Sequence, residues 1–124
     1  MAITKTCPKP AFTDHRGDIT NLITHIQHVA LITSRPGAVR GNHRHRTDTH
    51  YTYLVSGYCV YFQVVNGLVE SCDVQPGEMV LTPADVPHAL RSVEESVFLV
   101  FCTAERMGGK YEADTQPYPV VPGG

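Results

Sequence analysis

Nearly every periodic stretch of this 124-residue chain is short, rich in Val, Ile, Tyr, Phe and Thr, and closed off by Gly, Pro, Asn or Asp. That is the pattern of strands separated by tight turns. No long stretch carries the 3.6-residue period of an amphipathic helix, and the one helix candidate is a brief piece within 103–112. Strands are expected near 19–24, 27–33, 38–46, 50–56, 58–65, 68–74, 78–82, 88–93 and 96–103. The sharpest local signal is VVNGLVE, where Asn66-Gly67 offers the two positive-φ positions of a two-residue hairpin, so 58–65 and 68–74 should pair antiparallel. Further turns fall at Gln75-Pro76-Gly77 and Pro83-Ala84-Asp85. So many short strands must close into a barrel or stack as two sheets, because a flat open sheet leaves unpaired edges. The expected fold class is all-β.

With 42% hydrophobic and 18% charged residues, the chain suits one globular domain spanning 1–124. It contains no apolar run approaching the ~18 residues of a spanning helix, so no membrane partner is expected. A net charge of −2 gives no footprint for a nucleic-acid backbone. The opening MAITKTCPKP lacks a secretory apolar core, which points to the cytoplasm, where Cys7, Cys59, Cys72 and Cys102 would be buried reduced thiols. The tail from Gln116 to Gly124 reads as an extended arm, ordered only if it docks. Small barrels commonly cover edge strands with a partner, so a homodimer is expected, with the N-terminal segment contributing.

Four of the seven histidines lie in two segments, GAVRGNHRHRTDTHYTYLVSG and GEMVLTPADVPHALRS. His43 and His45 are one residue apart, so in a strand both face the same way and can chelate. His50 follows the short turn Thr47-Asp48-Thr49, and His88 follows a Pro-flanked loop; barrel closure would bring all four together. Neutral imidazoles suit a divalent transition metal, whether zinc, iron, nickel, manganese or copper. Occupancy should then fall as pH drops toward or below ~6.5. Arg44 and Arg46 alternate with the histidines and should point outward. Tyr51, Tyr53, Tyr58 and Tyr61 crowd the neighbouring strands, and Tyr53 is the leading candidate for a proton-donating phenol.

The chain resembles the cupin superfamily, whose first motif is G-x5-H-x-H-x3,4-E-x6-G and whose second is G-x5-P-x-G-x2-H-x3-N. Gly37, His43, His45, His50 and Gly57 match the first; Gly77, Pro83, Asp85, His88 and Ser92 stand where the second falls. His50 replaces the usual Glu, Asp85 a Gly and Ser92 the Asn, over a match that covers about residues 30 to 103. The resemblance implies a double-stranded β-helix, the RmlC-like jelly-roll barrel, with His43, His45, His50 and His88 as the metal set.

A looser resemblance is to the RmlC-like sugar-nucleotide epimerases and ketoisomerases. Phe12-Thr13-Asp14-His15-Arg16-Gly17 is similar to that group's F-x-D-x-R-G, and Arg40-Gly41-Asn42-His43 to its R-G-x-H. By this resemblance His43 would be the base that removes a proton beside a sugar ketone, with Arg40 and Arg16 holding the substrate. In a regular strand Arg40 would face away from His43, so the role requires a bulge or twist at Gly41.

The resulting expectation is a metal-binding cupin that isomerises or epimerises a small carbonyl-bearing sugar or sugar nucleotide. An iron-dependent dioxygenase and a non-catalytic metal- or small-molecule-binding module are the alternatives. A tetrahedral site closed by four protein ligands would leave no room for substrate.

Overall fold

The computed structural model describes residues 2–123. In chain order its elements are β1 (Thr4–Thr6), β2 (Phe12–Asp14), β3 (Gly17–Ile19), β4 (His28–Ser34), β5 (Val39–His45), β6 (His50–Ser56) and β7 (Cys59–Val65). Then come β8 (Leu68–Val74), β9 (Met79–Thr82), β10 (His88–Ser92), β11 (Ser96–Cys102), α1 (Lys110–Asp114) and β12 (Thr115–Pro117). Two five-stranded antiparallel sheets, ordered β1-β9-β6-β11-β4 and β12-β5-β10-β7-β8, form the jelly roll. The hairpin β2-β3 stands apart as its own two-stranded sheet.

Alternation along the strands decides what is inside. In β7 the residues Cys59, Tyr61, Gln63 and Val65 are buried, while those between them are half-exposed. With Val74 from the neighbouring β8 and Leu54, Val80, Phe98, Val100 and Cys102 from the facing sheet, Cys59 and Tyr61 make the core. Full burial of a side chain such as Phe98 contributes about 1.5–3 kcal/mol. The two-residue loop at Asn66-Gly67 joins Val65 to its cross-strand partner Leu68, with φ of 51° and 79°, as the hairpin reading requires. Asp85 has φ 66°, so it occupies the left-handed position where the second cupin motif has Gly. Asp is one of the few residues that tolerate that conformation.

Strand β5 carries the expected bulge. Its register against β10 jumps from Gly41 opposite Ala89 to His43 opposite His88, leaving Asn42 as the extra residue. Gly41 has φ 91°, and a Cβ there would lie 2.9 Å from both Ala89 Cα and His88 O. The bulge sets Arg40 opposite Leu90 and His43 opposite His88, so both lie on the cavity side of the sheet, His43 half-buried and Arg40 exposed.

Several expectations need correction. The segment expected at 19–24 is a strand only at its first residue; beyond Ile19 the chain has no partner to pair with. The polar runs of β1 and β12 carry no apolar alternation, and both are strands because a neighbour's backbone offers hydrogen bonds. The helix, Lys110–Asp114, begins inside the expected range 103–112 and ends two residues past it. Of the cysteines, only Cys59 and Cys102 are buried; Cys72 is half-buried and Cys7 exposed, and all four thiols are free. The C-terminal arm does dock. Asn42 accepts from the Val120 and Val121 amides at 2.9 and 3.0 Å and donates to Gly123 O at 3.1 Å. No helix among the described residues is long and apolar enough to cross a membrane.

Candidate functional site

The four histidines meet at one end of the barrel interior. His43 and His45 come from β5, His50 opens β6 and His88 opens β10. Ring centroids lie 4.5 Å apart for His43–His45, 4.8 Å for His43–His88, 5.4 Å for His45–His50 and 5.0 Å for His50–His88. One ligating atom from each of His43, His45 and His88 lies within 4.8 Å of the others, and the same holds for His45, Asp48 and His50. Nitrogens bound to one ion at about 2.1 Å sit at most about 4.2 Å apart. Within each of these two groups, which share His45, a contraction of at most roughly half an ångström would fit the three atoms to one metal.

The outer hydrogen bonds orient three of the rings. Thr115 Oγ1 donates to Tyr111 O at 2.5 Å, so its lone pair faces His45 Nδ1 at 3.1 Å and takes that proton. His88 Nδ1 donates to Val86 O at 3.0 Å. His50 Nδ1 lies 3.5 Å from the Asp48 carboxylate and 3.4 Å from Arg106 Nη2. The Asp48 anion is the better partner for a ring N–H, and Nη2 makes its shorter contact with Asp48, at 3.0 Å. With each Nδ1 carrying the hydrogen, three Nε2 lone pairs are left for the interior, a tautomer suited to ligating a metal. His43 has no hydrogen bond among the described residues.

Burial keeps these rings neutral. It lowers His43 to about 4 and His45 to about 3, with the neighbouring His50 adding to the shift. His50 and His88 are also lowered, chiefly by desolvation. Burial would raise Asp48, but hydrogen bonds from His50, the Ala104 amide and Arg106 outweigh it and hold the carboxyl below its ordinary range.

The histidines line a cavity of about 350 Å³ with Thr52, Tyr61, Arg106 and Tyr111, an apolar wall of Ile32, Leu90, Phe98 and Val100, and Arg40. Arg40 reaches the cavity as the bulge dictates, but Ser34 Oγ and Thr33 O occupy its Nε and Nη2 at 2.6 and 2.8 Å. Arg44 turns outward, as expected, to Gln116 and Asp85.

Two expected participants lie elsewhere. Arg16 is exposed on the β2-β3 hairpin, paired with Asp14 at 2.6 Å, and lines a separate shallow pocket with Phe12 and Ile19. Tyr53 alternates with the buried Thr52 and Leu54, so it lies on the outer face of its sheet. The phenols at the cavity are Tyr61, bonded to Gln63 and Thr82 at 2.8 Å each, and Tyr111, whose ring lies 5.3 Å from His45 and 6.2 Å from His43.

Sequence reasoning missed Asp48, Arg106 and Tyr111. Asp48 looked like an ordinary turn residue; the only signal was its place two residues before His50. Arg106 and Tyr111 sit in a stretch without periodicity, and nothing local marks them.

Among solved structures, the chain is similar to dTDP-4-dehydrorhamnose 3,5-epimerase from Sulfolobus tokodaii, with TM-score 0.76, 19% identity, and coverage of 93% of this chain and 76% of that one. It is similar to the 3'-monoepimerase ChmJ from Streptomyces bikiniensis, with TM-score 0.76, 17% identity, and coverage of 93% and 68%. A 3,4-ketoisomerase from Helicobacter canadensis aligns with TM-score 0.77, 16% identity, and coverage of 94% and 91%. At such identities the likeness concerns the fold. No curated protein sequence matches the chain. The family model described as a cupin domain matches residues 30–103, which include all four histidines and more than half of the sequence, and the chain therefore belongs to the cupin family.

Proposed function

We propose that the protein is a metal-dependent cupin that isomerises or epimerises a small carbonyl-bearing sugar or sugar derivative. The observation that carries this reading is the convergence of four neutral imidazoles, three with Nδ1 tied to an outer acceptor, on one end of a cavity. His43, His45, His50 and His88 would hold one divalent transition ion. When bound, that ion would polarise a substrate carbonyl and acidify the adjacent C–H. Space beside the histidines disfavours a closed structural site, which leaves no room for a ligand.

The protein's own groups supply the rest. Tyr111 stands at the mouth of the histidine cluster and burial raises its pKa, so its phenol stays protonated and can hand a proton to the substrate. Tyr61 is locked by Gln63 and Thr82 and serves as a wall. A metal-free route through His43 as base fits less well. A side chain held near 4 is a weak base at neutral pH, and an efficient one titrates near the working pH. The solved neighbours described as acting on dTDP-linked sugars support the substrate class.

Elemental analysis of protein purified without added metal, followed by deuterium exchange of the C–H beside the carbonyl of a keto-sugar, tests the reading. About one metal per chain and metal-dependent exchange are expected. A folded protein that takes up no metal at neutral pH returns the role of base to His43. Oxygen uptake after aerobic iron reconstitution, in place of exchange, would favour the dioxygenase alternative.

A homodimer remains part of this proposal. The outer face of the first sheet exposes Val29, Leu31 (69%) and Val55, apolar side chains that a partner barrel could cover. Light scattering that finds only single chains at micromolar concentration would end it.

A further inference from the structure

Among the described residues Arg106 is the one cation beside the histidines, and its hydrogen bonding is incomplete. Nη2 donates to Asp48 at 3.0 Å, and the guanidinium lies 4.7 Å over the Tyr111 ring. Its Nε is buried with no hydrogen-bond partner among the described residues. A buried donor of a charged group left unpaired carries its full desolvation cost. Arg40, at the apolar end, has both its Nε and Nη2 engaged by Ser34 and Thr33.

Charge balance shows a second deficit at the same place. Four neutral imidazoles bring no negative charge to a divalent ion, and Asp48, the carboxylate that touches them, is already paired with Arg106. A loaded site would keep excess positive charge in a low-dielectric interior. Both deficits have one remedy, an anionic oxygen group beside the histidines. The cavity's size argues for a small carrier, because about 350 Å³ is at the low end for ligand pockets.

We infer that Arg106, covered by Tyr111, forms a carboxylate subsite next to the histidines, so that the substrate is a carbonyl-bearing sugar acid rather than a neutral sugar. This inference rests on the reading of the cavity as a site for a small carbonyl sugar and narrows its substrate class. The ring of Tyr111 closes over the guanidinium, and the chain enters α1 through Gly108 and Gly109, with φ of 65° and 82°. Two adjacent glycines in left-handed conformation give the turn that carries Tyr111 freedom to move. An entering carboxylate would accept a hydrogen bond from Nε–H in the guanidinium plane, leaving Nη2 on Asp48 and Tyr111 over the face.

Calorimetric titration with glucuronate, glucose and dTDP, on zinc-loaded and on EDTA-treated protein, tests the subsite. Glucuronate should bind at least about tenfold more tightly than glucose, and Arg106→Lys should erase most of that preference, because a lysine keeps the charge beside Asp48 but loses the Nε donor. Arg106→Gln should erase it entirely; if that variant unfolds because Asp48 loses its partner, Arg106→Lys decides. Zinc content should stay unchanged in Arg106→Lys. Equal binding of glucuronate and glucose, or a preference intact in Arg106→Lys, overturns the inference. So does a response to dTDP alone that vanishes in Arg106→Lys, which would assign the guanidinium to a diphosphate. A wild type that takes up no zinc defeats the four-histidine reading separately, and the EDTA-treated titration still decides the subsite.

Discussion

Two segments share a likeness to the sugar-nucleotide cupins, and the fold treats them differently. The β5 segment Arg40-Gly41-Asn42-His43 is pinned between β10 and β12, and its bulge turns both Arg40 and His43 into the cavity. The β2-β3 hairpin, with Phe12, Asp14 and Arg16, pairs only with itself and leaves Phe12 and Ile19 more than half exposed. Its Arg16 salt bridge to Asp14 is a local turn contact at the surface. The same kind of motif is thus a site where neighbouring strands enclose it and a solvated turn where they do not.

The comparison is tested most severely at the histidines. His45→Ala or His88→Ala should reduce metal content from about one per chain to near zero and abolish the drop in melting temperature on chelation, since metal bound only to the folded form stabilises it. An unchanged response in both variants would break the assignment of the barrel end as the metal centre.

Asp48→Asn should weaken metal binding by about 10–100-fold, measured by competition with a chelator, because the carboxylate orients His50. It should also cost about 3 kcal/mol of stability in urea denaturation, because it strips the nearly buried Arg106 of its counter-charge. Gly41→Ala should lower stability by about 1–3 kcal/mol, since a non-glycine residue there combines positive φ with backbone contacts at 2.9 Å. A neutral result would show that β5 does not need the bulge that aims Arg40 inward.

The pH dependence of the metal-free protein sharpens the contrast further. His43 and His45 fall from 6.5 to about 4 and about 3 in the folded state, so between those values the unfolded chain binds more protons. Stability is full above about pH 6.5 and declines as pH falls toward 4, each such histidine steepening the slope by up to about 1.4 kcal/mol per pH unit. Urea midpoints from pH 8 to 4 check this, and a flat profile would mean that the histidines are not buried neutral. It also moves the expected onset of proton competition for the metal from ~6.5 down toward 4. The smallest effect belongs to the hairpin: Arg16→Ala should change stability by less than about 0.5 kcal/mol and leave metal content unchanged.

The sequence by itself determined eight of the ten barrel strands, β4 to β11, the Asn66-Gly67 turn and the single-face placement of His43 and His45. Each is a local consequence of period-two alternation or of a residue's allowed φ. Tertiary structure decided what depends on closure. It set Tyr111 inside, because that phenol's position depends on the docking of a distant arm, whereas Tyr53 lies outside by the same period-two alternation that turns His50 inward. It also made Asp48 a partner of His50 and Arg106 rather than a turn residue, since Thr47 and Asp48 are anchored by Asp114 from the far end of the chain. Burial, which fixes the charge of every histidine in the cluster, exists only once both sheets have met.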